Sequence, residues 1–60
     1  MIWTVIELKD GDAEPLATSP DPAAVGSLLR VQGFDYEVVL VENDSERGFI
    51  YVSAAAAPTV

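Results

Sequence analysis

Apolar residues concentrate in two stretches of the chain, and each reads as a strand. Ile2-Trp3-Thr4-Val5-Ile6-Glu7-Leu8-Lys9 is rich in β-branched and aromatic residues, and it runs into Asp10-Gly11, a tight-turn pair. The residues after the turn, Ala13 to Thr18, can return as a second strand. Pro15 has no N–H to give to a ladder, so such a strand belongs at a sheet edge. Phe34 to Glu42 is the clearest strand, with Tyr36, Val38 and Leu40 on one face and Asp35, Glu37, Val39 and Val41 on the other. Asn43 to Gly48 is a polar loop, and Phe49 to Ser53 returns from it.

Between these stretches the period changes. Ser19-Pro20-Asp21-Pro22 offers an N-cap followed by a proline at a first helical position. Val25, Leu28, Leu29 and Gln32 then recur at i, i+3, i+4 and i+7. Gly33 fits the left-handed residue after a helix, and Arg30 the last turn, where a cation favours the dipole. The spacing therefore predicts a short amphipathic helix, although Gly26 in its interior costs about 1 kcal/mol relative to alanine.

Together these elements predict an α+β fold. It is a β-β-α-β-β arrangement, or β-α-β-β if residues 13–18 are loop, with one helix packed on one face of a small antiparallel sheet. The first strand and the Phe34 strand carry apolar residues on both sides and are expected at its centre, in the order 2-1-3-4. Residues 1–53 form the domain, and the alanine-rich tail 54–60 has too little to bury and is expected to fray.

One helix covers one face. The other keeps large apolar side chains open, and Trp3, Val5, Val39 and Val41 are the candidates for a contact with a partner or a second copy. A fold of the loops or tail over that face is the plainer alternative.

Composition narrows the chemistry. A chain of 60 residues is one small domain with a thin core, and half of its residues are apolar, enough for a folded unit. It has no Cys and no His, which removes disulfides, thiolate and imidazole metal sites and a histidine-activated nucleophile. No catalytic residue, metal ligand or cofactor is assigned. Asp10, Asp12, Glu14 and Asp21 have the 1, 3, 5, 12 spacing of a calcium loop, but Pro15 stands where the turning glycine belongs, and an acidic hairpin tip accounts for them better. No export signal or membrane span is legible, so the expected compartment is the cytoplasm.

Ten acids against three bases give a net charge of −7, which repels nucleic acid and membrane surfaces alike and suits a basic protein partner. The acids gather at the two predicted hairpin tips, as Asp10, Asp12 and Glu14 and as Glu42, Asp44 and Glu46, with Asp35 and Glu37 on one strand. Carboxylates set along a rigid scaffold can occupy a basic nucleic-acid groove in place of phosphates. In its size, its acidity, its lack of Cys and its small architecture, the chain resembles the small inhibitors encoded by bacteriophages, the anti-CRISPR and DNA-mimic proteins. That resemblance implies stoichiometric blockade of a host nucleic-acid-processing complex. The alternative is a structural or regulatory homo-oligomer whose charge serves only solubility.

Overall fold

The computed structural model describes residues 2–55 and shows five strands and, among those residues, no helix. The strands β1 (Ile2–Lys9), β2 (Asp12–Ser19), β3 (Leu28–Val31), β4 (Phe34–Asn43) and β5 (Arg47–Ala54) form one curled mixed sheet in the order β2-β1-β5-β4-β3. The expected α+β fold with a packed helix is thus corrected to an all-β fold. Both expected hairpins are present, β1–β2 around Asp10-Gly11 and β4–β5 around residues 44–46, and the Pro15 strand is an edge. Of the expected tail, Ala54 closes β5 and Ala55 donates its N–H to the Asp35 carbonyl at 3.1 Å, while residues 56–60 lie outside the described residues.

The helix is replaced by a crossing and a strand. β2 and β3 lie at opposite edges of the sheet, and only residues 20–27 join them. Four inter-strand steps amount to about 19 Å if flat, a span that suits an extended chain. Pro20 and Pro22 hold φ near the extended polyproline value, so they start a crossing as readily as a helix. Gly26 sits at φ 91°, outside the helical region, and donates its N–H to the Val38 carbonyl at 2.8 Å, while Val38 N–H donates to the Ser27 carbonyl at 2.9 Å. From there the chain runs along β4, with Leu29 opposite Tyr36 and Val31 opposite Phe34. Gln32 and Gly33 both have positive φ, 52° and 84°, which is the backbone of a type I′ hairpin turn. The residues that look like a helix C-terminus are a two-residue β-turn, because Gln32-Gly33 serves either role and β4 offers an unpaired edge.

The strand order is also corrected. β1 lies beside β5, in parallel, and not beside the Phe34 strand. Trp3 stands opposite Gly48, and a Cβ at position 48 would fall among the carbons of the Trp3 indole. Glycine there lets the ring lie flat on β5 and makes the register self-checking, since a slip of one residue would flip every side chain to the other face.

Two bulges redirect side chains. In the β1–β2 pair Val5 faces Ala17 and Ile6 faces Pro15, so Leu16 is the extra residue; in the β4–β5 pair Val38 faces Val52 and Leu40 faces Tyr51, so Val39 is extra. Strict alternation along β4 therefore fails at Val39. Tyr36, Val38 and Val41 point inward, whereas Asp35, Glu37, Leu40 and Glu42 point outward.

The curled sheet encloses its own core. Trp3, Val5, Tyr36, Val38, Ile50 and Val52 are buried on the inner face, with Val38 of β4 and Ile50 and Val52 of β5 at 0% exposure. Leu16 from the β2 bulge, Ala23 from the crossing, Leu29 and Val31 from β3, and Val41 from β4 close over them. The crossing and β3 do the work expected of the helix.

Candidate functional site on the outer sheet face

The first consequence of the curl is that Trp3 and Val5 are core, with Val41 half-buried against the same cluster. Of the four apolar contact candidates only Val39, at the bulge, is exposed. The face left open is the opposite one. On β1 it carries Ile2, Ile6 and Leu8, on β5 Phe49 and Tyr51, and on β4 Leu40; Tyr51 is flanked directly by Ile6 and Leu40 in the ladder. Ile2 is 63% exposed, Leu40 45% and Leu8 41%, so this outer surface presents large apolar groups to water.

The acids divide by position. On β4, Asp35, Glu37 and Glu42 project to the outer face and stay exposed. Asp35 and Glu37 stand about 7 Å apart, and Glu42 about 23 Å from Asp35, at the strand rise per residue. Glu42 leads into the hairpin tip with Asp44 and Glu46. The other tip, Asp10 with Asp12 and Glu14, lies at the opposite end of the sheet, because β1 and β5 run parallel and their hairpins turn at opposite ends.

Few of these charges are neutralised internally. The Lys9 ammonium lies 3.5 Å from both Glu7 and Glu14, and these carboxylates, Glu7 foremost, hold its pKa above the ordinary value. Arg30 Nε donates to Asp35 Oδ1 at 3.1 Å, and that bond raises the guanidinium's pKa. Among the described residues Asp10, Asp12, Asp21, Glu37, Glu42, Asp44 and Glu46 have no ion-pair partner.

Two acids are structural. Glu7 is buried on the inner face beside Val52, its charge met by Lys9 at the sheet rim. Asp44 Oδ1 accepts the N–H groups of Glu46 and Arg47, each at 2.8 Å, and so fixes the β4–β5 turn. Those two bonds hold the Asp44 carboxyl below its usual pKa. Asp44 thus belongs to the hairpin as much as to any charged surface.

The calcium spacing dissolves in three dimensions. Asp12 and Glu14 are on β2, Asp10 is in the turn before it, and Asp21 lies past its far end. Among the described residues no three or more acids gather where a metal ion could be held. Among them, too, no helix is long and apolar enough to cross a membrane.

The outward set of Glu37, Leu40 and Glu42 contains a signal the sequence offers. Glu37 and Glu42 are an odd number of residues apart, so an unbroken strand would bury one of them. Both can face water only if a bulge intervenes in Val38-Val39-Leu40-Val41. The open apolar side of β1 and β5 was legible from alternation alone, but choosing it over the Trp3 side required knowing which face the chain covers.

Comparison with protein family models, with curated proteins and with solved structures finds no match to this chain.

Proposed function

We propose that this protein is a non-enzymatic binding module that docks on a basic surface of another protein, in the manner of a phage-type inhibitor of a nucleic-acid-processing complex in the host cytoplasm. The observation that carries the reading is β4. It places core residues inward and Asp35, Glu37 and Glu42 outward on one rigid strand, and leads directly to Glu46 at its turn. A solvated strand face needs polar residues but not a run of one sign. Here Glu37, Glu42 and Glu46 lack ion-pair partners among the described residues, and the chain as a whole carries −7. A row of fixed carboxylates attracts lysine and arginine side chains that otherwise hold phosphates, and it does so without paying for ordering a flexible chain.

The experiment is inhibition of nucleic-acid binding by purified complexes of this kind, CRISPR effectors among them. Inhibition should be competitive with the nucleic acid and should fade as salt rises, because exposed charges are screened over about 8 Å at physiological ionic strength. The double substitution Glu37→Gln and Glu42→Gln should weaken it. Inhibition that ignores salt and both substitutions would remove the phosphate-like role.

A further inference from the structure

The acids on β4 border an apolar band that no part of the described chain covers. We infer that this band, Ile6 and Leu8 of β1, Phe49 and Tyr51 of β5 and Leu40 of β4, is the anchor of the interface, and that the partner is a protein surface with an apolar centre flanked by lysine or arginine. The inference rests on the acidic docking proposed above and adds what the acids alone do not specify.

Three observations carry it. First, the band is continuous: Ile6 pairs with Tyr51, and Tyr51 with Leu40, so three adjacent strands carry apolar side chains in one lateral row, with Phe49 and Leu8 on either side of it; Leu8 and Leu40 are exposed, and Ile6, Phe49 and Tyr51 are half-buried. Contiguous exposed apolar surface on a single sheet marks an interaction site more often than scattered residues do. Secondly, its border along β4 is acidic, with Arg47 at the β5 end the one cation beside the band that no carboxylate pairs among the described residues. Glu42 is paired with Phe49 in the ladder, and Glu37 lies on the same face next to Ser53. A partner that covers Phe49 and Leu40 therefore brings its own rim over Glu37 and Glu42, and only a basic rim avoids like-charge repulsion and stranded carboxylates.

Thirdly, the charge and the dimensions disfavour a second copy. The band is about 10 Å across and about 13 Å long from strand spacing and rise, small beside the ~800 Å² per partner of a standard interface. A larger contact has to extend over β4, and between two copies that extension would press Glu37 and Glu42 against the same acidic rim, with only Arg30 and Arg47 nearby and Arg30 already held by Asp35. A basic partner extends over the same ground favourably.

The test uses the full chain, isotope-labelled, and three short synthetic peptides: one alternating leucine and lysine, one of lysine alone with the same charge, and one alternating leucine and serine. The leucine–lysine peptide should bind at least about tenfold more tightly than oligolysine, a difference of ~1.4 kcal/mol, and should shift the methyl signals of Ile6, Leu8 and Leu40. The substitutions Ile6→Thr and Leu40→Thr, which keep β propensity, should reduce its affinity to that of oligolysine and leave oligolysine binding unchanged. Equal affinity for the two lysine peptides, or methyl shifts confined to other surfaces, would overturn the anchor while leaving the acidic reading standing. Binding of the leucine–serine peptide as tight as that of the leucine–lysine peptide would overturn the basic rim, and with it the acidic reading, but not the band. A dimer in sedimentation at micromolar concentration that Ile6→Thr and Leu40→Thr dissolve would assign the face to a second copy and overturn the proposal.

Discussion

The two faces of this sheet are built from the same strands, yet they obey different rules. The inner face is matched atom to atom: Trp3 lies on Gly48, Val38, Ile50 and Val52 are fully buried, and the crossing and β3 supply Ala23, Leu29 and Val31 to close it. The outer face has comparable apolar residues on β1 and β5, but among the described residues nothing is laid over them, and β4 lines them with acid. In a domain this small the core is thin and the fold needs all the burial available. Leaving one apolar face open is therefore informative: the inner face accounts for folding, and the outer face is free for the contact proposed above.

The difference is broken most severely on the inner side. Ile50→Ala should cost about 2–5 kcal/mol, the range for truncating a fully buried aliphatic side chain, in a domain whose whole stability is on the order of 5–15 kcal/mol. Leu40→Ala on the outer face should cost under about 1 kcal/mol, as its burial is partial. Urea denaturation of both variants compares them directly, and equal losses would erase the distinction between the faces.

Gly48→Ala comes next. The added methyl meets the Trp3 ring, and overpacking of this kind costs about 1–3 kcal/mol. Pairing it with Trp3→Leu should restore part of the loss relative to the sum of the single changes, because the smaller side chain yields space. Additive losses in a double-mutant cycle would mean that the ring does not rest on β5.

Gln32 tests how the inner face is closed. With φ at 52° in a type I′ turn, Gln32→Gly relieves a left-handed side chain and should leave stability unchanged or raise it by several tenths of a kcal/mol. In the last turn of a helix the same change would cost up to ~1 kcal/mol. Thermal melting distinguishes them, and circular dichroism of the parent protein should show strand without helix.

That position also shows where the sequence stops being legible. Runs of β-branched and aromatic residues reveal β1, β4 and β5, and Pro15 marks the edge strand, because residue propensity and missing donors are local properties. Residues 20–33 mislead because prolines, Gly26 and Gln32-Gly33 are compatible with a capped helix and with a crossing plus hairpin. The choice is made by a distant demand, the open edge of β4. The parallel pairing of β1 with β5 is equally non-local, and its one local trace is the glycine that faces the only tryptophan. The acids were visible as residues, but their roles were not: Asp44 fixes a turn, Glu7 is buried, and Glu37 and Glu42 share a face only because Val39 bulges.

The smallest expected effects are electrostatic. Asp44 is held below its ordinary pKa by the two turn N–H groups, so its contribution is present above the unfolded-state pKa and is lost as pH falls through the lower folded-state value. The amide signals of Glu46 and Arg47 should therefore move together in acid, below the normal carboxylate range, and Asp44→Asn should abolish that titration. Movement near neutral pH would assign it to another group. Neutralising Glu37 and Glu42 should change stability by no more than about 0.5 kcal/mol, as for other exposed positions.

The most direct test of the division between faces is a chemical-shift titration of the labelled protein with oligolysine at rising salt. Glu37, Leu40, Glu42 and Glu46 should be perturbed and Val38, Ile50 and Val52 should not, and the effect should be lost at about 0.5 M salt, where screening falls to a few ångströms. Perturbations centred on Asp10 to Glu14, or a response that persists unchanged at high salt, would contradict it.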